Sequence, residues 1–220
     1  MDGGYRVGRL PAEAELWAPC GAFDPAALPA AWAALEEAPI DKFPWDENGY
    51  RPPAAARVGW NERGLHVLLY ADEPRIRAEV TDCGGPACQD SCLEFFLAPN
   101  PQRPAWYWNI ECTPRPAVHW GEGEGRHGRT VFRTIPEGVR LSVSRHEGRW
   151  WAVRYTLPAD LLARSFGVTL TPGMTMRGNF YKCGDRTEKA HYGMWRAYDR
   201  AVVPKPDFHR PELFAPLTLA

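Results

Sequence analysis

The chain has 220 residues, and 26 Lys and Arg side chains against 27 Asp and Glu leave a formal net charge of -1. This balance excludes the strongly basic field that marks many proteins for nucleic acid or an anionic membrane surface. The longest apolar runs fall far short of the roughly 18 residues of a membrane span. We therefore expect a sizeable core, no nucleic-acid partner and no membrane partner.

The ends and the cysteines of the chain add three further expectations. The first residues, Met1 to Arg6, lack the apolar segment of a secretory signal, so the cytoplasm is the default location. Six cysteines are few for a chain of this length, which favours free thiols over a disulfide framework. Because no repeat, charge block or linker interrupts the sequence, residues 1–220 are interpreted as a single domain.

Short segments with strand character dominate the chain. Turn signals separate most of them at intervals of about 8 to 12 residues, as in an antiparallel sandwich or barrel. In chain order the predicted strands are 14–18, 54–60, 65–71, 92–98, 105–112, 129–134, 139–146, 150–157, 175–183 and 212–219. Helical patterning is confined to 25–38, with Asp24 as N-cap, and to a short segment between Pro158 and Gly167. The sequence predicts an all-β fold, an antiparallel β-sandwich with two short helices.

Alternation in two neighbouring predicted strands places polar residues together. In the predicted strand 92–98, Glu94 lies on the face opposite to an apolar set of residues. In 105–112, Asn109 and Glu111 likewise lie opposite to an apolar set. If the two strands form a hairpin with their apolar faces together, these three side chains become neighbours on one outer face. Two carboxylates with an amide make a good clamp for sugar hydroxyls. The alternative is an acidic face that is simply solvated.

Five sequence blocks occur in an order and spacing that resemble a known family. They are Trp60-Asn-Glu-Arg-Gly-Leu-His-Val, Asp90-Ser-Cys-Leu-Glu-Phe-Phe-Leu, Tyr107-Trp-Asn-Ile-Glu, Gly178-Asn-Phe-Tyr-Lys-Cys-Gly-Asp and Pro206-Asp-Phe-His-Arg-Pro-Glu. With Asp72, His191 and Trp195, they resemble the family 9 carbohydrate-binding modules, and more narrowly their stand-alone relatives, from about residue 14 onward. The resemblance implies a DOMON-like sandwich, of jelly-roll or immunoglobulin-like type, that binds sugars between two tryptophans.

The resemblance also assigns sugar-binding positions. It places Glu94 at the family's sugar-binding glutamate, Lys182 near a family glutamine, and Trp195 at the C-terminal stacking tryptophan. The second stacking tryptophan corresponds to Cys88, and the family's arginine on the next strand corresponds to Asn109. One aromatic wall is therefore missing, and sugar affinity should be weak or the ligand different.

Three further side chains are candidates around this site. Trp45 or Trp120 is a candidate substitute wall, although a tryptophan in a proline-flanked loop more often plugs the end of a sandwich. His191, as a neutral imidazole, is a secondary candidate for donating to a sugar oxygen. The loop Pro206–Glu212 is interpreted as structural, with Asp207 or Glu212 pairing Arg210.

The expected function is non-catalytic binding of a plant-polysaccharide-derived oligosaccharide or sugar end, in support of glycan degradation. The alternative from another class is an interaction or assembly module that has lost the sugar site. A glycoside hydrolase is the third reading, because Glu94 and Glu111 are candidates for the carboxyl spacing that such enzymes need.

No cofactor is expected, but three metal readings stay open. Thiols at 83, 88 and 92 have a loose spacing for zinc. The methionines at 174, 176 and 194 offer axial haem ligands, although no spacing singles out a pair. Loop oxygens of Asp72, Glu73 and Asp82 are candidate ligands for structural calcium, as in some members of the family.

Overall fold

The computed structural model describes residues 3–15 and 27–220, and within these ranges the chain is dominated by β-structure. Two α-helices and three single turns of 3-10 helix accompany the strands. The strands are β1 (Tyr5–Arg9), β2 (Ala38–Pro39), β3 (Ala54–Asn61), β4 (Gly64–Asp72), β5 (Cys92–Ala98), β6 (Trp106–Cys112), β7 (Val118–Glu124), β8 (Thr130–Phe132), β9 (Leu141–His146), β10 (Trp150–Pro158), β11 (Thr175–Cys183), β12 (Tyr192–Met194) and β13 (Ala215–Leu219).

The strands form one curled sheet in the order β8-β7-β6-β5-β11-β13-β1-β3-β4-β10-β9, with β12 beside β11 and β2 beside β3. Strand β1 joins the two halves, because Tyr5–Val7 pair with β13 whereas Gly8 and Arg9 pair with β3. Both of these pairings are parallel, which corrects the all-antiparallel expectation at this one strand. The all-β prediction is confirmed and the curled sheet is consistent with a sandwich. The finer jelly-roll or immunoglobulin-like description stays a prediction.

Sequence patterning found the long strands and missed short or glycine-rich ones. Strands β1, β2, β7 and β12 were not predicted, since β7 contains two glycines and β2 and β12 have only two and three residues. The predicted strand 14–18 is wrong where it is described, because Ala12–Glu15 form a 3-10 turn. The rest of that segment lies outside the described residues.

The first helix is shorter than predicted, whereas the second has its predicted length. Helix α1 spans only Ala30–Ala33 of the predicted 25–38, and the predicted N-cap Asp24 lies outside the described residues. Helix α2 spans Ala159–Phe166 as predicted, and Gly167 ends it with a left-handed φ of 67°. No helix in the described part of the chain is long and apolar enough to cross a membrane.

Two buried clusters lie on opposite faces of strands β5, β6 and β11. The inner cluster fills the space between the halves of the sheet and includes Trp60, Trp108 and Trp151. The outer cluster is rich in aromatic rings, such as Phe96 and Tyr181, and lies beneath loops from the C-terminal third of the chain. Because side chains alternate along a strand, each residue of these strands belongs to one face only.

Candidate functional site: an acidic cleft over strands β5, β6 and β11

The hairpin of β5 and β6 brings the predicted polar side chains together. Glu94 lies directly opposite Glu111, and Asn109 lies opposite Phe96, in the antiparallel register. On the other side of β5, Tyr181 lies opposite Glu94 and Cys183 lies opposite Cys92. The predicted grouping of Glu94, Asn109 and Glu111 on one face is therefore what the register shows.

This outer face is covered rather than open. We name residues 198–214 the covering segment. Its Phe208 ring stacks on Tyr181 with centroids 4.1 Å apart. The Trp45 indole packs on Phe208 and donates a hydrogen bond of 2.8 Å from Nε1 to the Val203 carbonyl. The cover removes most of the water from the carboxylates beneath it, and Glu94 is only 2% exposed.

A cleft of about 160 Å³ remains between the strands and the covering segment. Carboxylates and thiols form one side of it, and rings and the 206–209 loop form the other. Its lining residues are Cys88, Glu94, Phe96, Glu111, Arg126, Cys183, Asp185, Tyr192, Pro206, Asp207, Phe208 and His209. The cleft is open to solvent, so a small ligand has access to the buried carboxylates.

Glu94 is the most perturbed carboxyl of the cleft. Burial raises its pKa well above the ordinary value, and the nearby charges of Glu111 and Asp185 raise it further. The thiols of Cys92 and Cys183 donate hydrogen bonds to it, which counter part of the rise in the pKa. Glu94 therefore carries a proton more readily than a surface glutamate and offers both a donor and an acceptor.

Glu111 is held in place by a relay of side chains. Arg129 donates from Nε to Asn109 Oδ1 at 2.9 Å, and Asn109 donates from Nδ2 to Glu111 Oε1 at 2.8 Å. The relay crosses Gly121, where a Cβ atom would lie 2.4 Å from Asn109 Oδ1. Burial raises the pKa of Glu111. Asn109 was predicted to contact ligand, but both ends of its amide are engaged, so it positions Glu111 instead.

The opposite side of the cleft is fixed by the loop Pro206–Glu212. Tyr107 donates from its hydroxyl to the Gly125 carbonyl at 2.8 Å and lies 2.7 Å from His209 Nδ1. Burial lowers the pKa of His209 to about 3, so the ring is neutral at physiological pH. Arg126 pairs with Asp207 at 2.6 Å, and Arg210 pairs with Glu212 at 2.6 Å, as predicted for the second pair.

Lys182 and His191 were predicted to bind sugar, but the structure places them elsewhere. Lys182 lies opposite Leu93 in the register, so its side chain enters the inner face. There it contacts Glu73 at 3.2 Å, the Cys183 carbonyl at 3.0 Å and His191 Nε2 at 2.7 Å. All three ammonium protons therefore have partners, and neither residue lines the cleft.

The predicted aromatic walls are also buried away from the cleft. Trp195 is 7% exposed and packs in the inner cluster against Tyr5 and Phe180. Trp120 packs edge-on against Trp108 in the same cluster. Trp45 plugs the covering segment, which is the structural alternative that the proline-flanked loop suggested. In this structure no predicted tryptophan presents a ring face to the cleft.

The metal-ligand candidates from the sequence are largely separated. In the described ranges, the group of three metal-ligating atoms that lie within 4.8 Å of one another belongs to Cys92, Glu94 and Glu111. Cys83 is not part of it. Glu73, a candidate calcium ligand, accepts hydrogen bonds from Lys182 and from Trp151 Nε1 at 2.8 Å. Calcium and haem binding stay untested.

Sequence reasoning missed several residues that line the cleft. Cys183 is the last residue of β11 and Asp185 lies two residues after it. Alternation along β11 places Cys183 and Lys182 on opposite faces. Among the phenyl and phenol rings that line the cleft, Tyr192 is half-buried, whereas Phe96 and Phe208 are buried. The loop Pro206–Glu212 was interpreted as structural, whereas it both packs on the strands and lines the site.

Several solved structures of proteins described as carbohydrate-binding are similar to this chain. A crystal structure from Bacteroides uniformis ATCC 8492, described as a "putative carbohydrate-binding protein", shares 22% identity with a TM-score of 0.74 over 99% of this chain and 100% of that one. A carbohydrate-binding module of family 9 from Caldicellulosiruptor kristjanssonii, in complex with glucose, has 13% identity and a TM-score of 0.55 over 98% and 95% of the two chains. In its cellotriose complex the values are 11% and 0.59, over 98% and 92%.

These structural similarities show a shared fold. No curated protein sequence matches the chain at a significant level. The model of carbohydrate-binding family 9, in contrast, matches residues 25–219, which is most of the chain. The chain therefore belongs to carbohydrate-binding family 9.

Proposed function

We propose that the chain binds a carbohydrate in the acidic cleft without transforming it, and that the bound part is a sugar end or a single sugar unit of a plant-polysaccharide fragment. The observation that carries this proposal is the pair of cross-strand carboxyl groups, Glu94 and Glu111, at the floor of an open cleft. Family membership and neighbours crystallised with glucose and cellotriose support the same reading.

The floor of the cleft suits vicinal hydroxyls. Neighbouring carboxyl groups, one of them inclined to keep its proton, accept and donate hydrogen bonds to adjacent hydroxyl groups. Hydrogen bonds that involve a charged group contribute about 1.5–3 kcal/mol each. Because the relay from Arg129 through Asn109 fixes Glu111 before any ligand arrives, little side-chain entropy is lost on binding.

The wall of the cleft suits the apolar face of a sugar ring. Tyr192 is half-buried, and it meets Phe208 edge-on with centroids 6.4 Å apart. We assign to Tyr192 the stacking role that the resemblance gave to Trp195. A single phenol ring in place of two indoles buries less apolar area, which agrees with the weak affinity expected from the sequence.

The size of the cleft favours a short ligand. Its volume of about 160 Å³ lies below the roughly 300–1,000 Å³ of pockets that enclose drug-sized ligands. We therefore infer that only one sugar unit is enclosed and that the remainder of an oligosaccharide extends into solvent.

The two alternative functions have less support in the geometry. The carboxyls of a glycosidase flank the bond that breaks, whereas Glu94 and Glu111 lie side by side at the floor of the cleft. An assembly module needs an exposed apolar face. Within the described residues, the single exposed large apolar side chain is Val202, at 54%.

The proposal is tested by calorimetric titration with glucose, cellobiose and xylobiose in a buffer that contains EDTA. We expect measurable binding to wild-type protein and at least tenfold weaker binding to Glu111→Gln, because Glu111 supplies the charged acceptor beside the more readily protonated Glu94. The matched control is Glu122→Gln. Glu122 accepts from Trp108 Nε1 at 2.7 Å on the other face of the sheet, and a glutamine still accepts there. Wild-type protein that folds but binds none of the sugars, or equal losses in the two variants, would overturn the proposal.

A further inference from the structure

Two carboxyl groups of the cleft floor also belong to a ligand set of a different chemistry, whose third member is the buried Cys92. The Cys92 thiol and one oxygen each from Glu94 and Glu111 lie within 4.8 Å of one another, and all three residues are buried. The three groups come from two adjacent strands, with Glu94 and Glu111 directly opposite and Cys92 two residues before Glu94. Their mutual placement is therefore fixed by strand register and not by a loop.

Sulfur and carboxylate oxygen together are a recognisable donor set. Thiolates select zinc-class ions, whereas sites made only of oxygens suit calcium and magnesium. In a tetrahedral zinc site with Zn–S of 2.3 Å and Zn–O of about 2.0–2.2 Å, the ligand atoms lie about 3.5 Å apart. A contraction of about 1.3 Å, from the observed limit of 4.8 Å to the distance in a tetrahedral zinc site, lies within reach of small side-chain rotations.

The surroundings of the three groups resemble those of a metal site in two respects. Ligating carboxylates are held by further hydrogen bonds in such sites. Glu111 Oε1 accepts a hydrogen bond of 2.8 Å from Asn109 Nδ2, and Arg129 in turn donates to the Asn109 side chain. The cleft leads from solvent to Glu94 and Glu111, so an ion has access. Cys183 lies opposite Cys92, and its thiol is 3.4 Å from Asp185 Oδ1.

We propose that Cys92, Glu94 and Glu111 bind a thiophilic divalent cation of the zinc class at the floor of the cleft, with Cys183 beside it and a fourth position open toward the cleft. When the ion binds, the thiol proton and any carboxyl proton leave to solvent, and their places between sulfur and oxygen are taken by the metal. The site takes its one thiolate from Cys92, with Cys183 opposite it on the adjacent strand, and uses neither Cys83 nor Cys88. It does not depend on the sugar proposal.

The test uses the whole chain, reduced and freed of metal with EDTA that is then removed. Cobalt(II) is titrated first, because thiolate ligation produces an intense near-ultraviolet charge-transfer absorption, and zinc(II) is then added to displace it. We expect one ion per chain, cobalt absorption with wild type, and at least tenfold weaker binding to Cys92→Ser. The matched control Cys83→Ser removes a thiol outside the cluster and should bind as wild type does.

A second variant keeps the test decisive if Cys92→Ser does not fold. Glu111→Gln preserves the acceptor for Asn109 and should weaken cobalt binding by at least tenfold. No thiolate absorption in wild-type protein, or equal binding by wild type, Cys92→Ser and Glu111→Gln, would overturn the metal proposal. Because metal is titrated without sugar and sugar is titrated with EDTA, failure of one proposal leaves the other standing.

Discussion

The two faces of strands β5, β6 and β11 both bury charged side chains, but they balance the charge differently. On the inner face, Lys182 is paired with Glu73, which also accepts from Trp151 Nε1. On the outer face, Glu94 and Glu111 lie side by side, and no Lys or Arg in the described ranges forms an ion pair with either. The inner group is complete within the protein, whereas the outer group presents two neighbouring carboxyl groups to a solvent-accessible cleft.

This difference separates a structural role from a binding role. A buried ion pair whose polar atoms are all partnered has nothing left to offer a ligand. Neighbouring carboxyl groups with raised pKa values gain stabilisation from a ligand that supplies donors or positive charge. Substitutions in the inner group and in the outer group should therefore have different effects, and the largest is expected in the inner group.

The inner pair should be costly to break. Lys182→Met leaves Glu73 buried without its cation, and removing one partner of a buried pair costs about 3–5 kcal/mol of unfolding free energy. Chemical denaturation measures the change. The control Lys42→Met removes an exposed lysine and should change the unfolding free energy by less than about 0.5 kcal/mol. A loss of unfolding free energy below about 1 kcal/mol for Lys182→Met would contradict a structural role for the inner group.

His191 should make the inner group sensitive to acid. Burial, together with Lys182, lowers its folded pKa to about 4 from an ordinary 6.5. Between these values the unfolded chain binds more protons, so stability falls as the pH drops from about 6.5 to 4, by roughly 2–3 kcal/mol. The facing charges are Lys182 and Glu73, and the Tyr50 ring lies beside it. His191→Gln should flatten the unfolding free energy over this range, and an unchanged slope would contradict the account.

Glu94 should show the opposite sign. Its folded pKa is raised, so its contribution to stability is complete below the unfolded pKa and is lost as the pH rises through the folded value. Glu94→Gln, measured in EDTA, should therefore be more stable than wild type at pH 8, by an amount on the order of 1 kcal/mol. The difference should close toward pH 4. A variant less stable than wild type at pH 8 would contradict the raised pKa of this buried carboxyl.

The smallest expected effect concerns the aromatic wall. Tyr192→Ala should weaken sugar binding about fivefold, since one partly exposed ring contributes about 1 kcal/mol. Trp195→Phe should leave the dissociation constant of the folded protein unchanged, because Trp195 packs in the inner cluster. Calorimetry on both variants compares the two positions. A larger loss for Trp195→Phe would restore the stacking role to Trp195.

Alternation along single strands correctly predicted which residues share the floor of the cleft. The family resemblance, in contrast, assigned Lys182 and Trp195 to the site, and the structure buries both on the inner face. Glu94, Asn109 and Glu111 follow from period-two patterning in two strands joined by a short connection, so their shared face needs only local information. Lys182 lies on a strand whose pairing with β5 spans about 90 residues, and its face depends on that distant register. Trp195 follows the last residue of a three-residue strand, where periodicity carries little information.

The covering segment was the least predictable part. Its Val203 carbonyl accepts from Trp45 across 158 residues, and its Phe208 contacts Tyr181 across 27 residues, through loops with no repeating pattern. The loop Pro206–Glu212 was interpreted as structural, and only the packing of Phe208 on Tyr181 places it over the strands. Burial of the outer face, and the pKa shifts that follow from it, therefore had no sequence signal.

The central claim is that carbohydrate binds between the floor of Glu94 and Glu111 and the covering segment. Amide chemical shifts of isotopically labelled protein, titrated with cellobiose in EDTA, test it most directly. The account predicts shifts confined to the cleft, above all at Glu94, Glu111, Asp185 and His209, with none at Lys182 or Trp195. Shifts centred on Trp195 and Lys182, or an unchanged spectrum at saturating sugar, would contradict it.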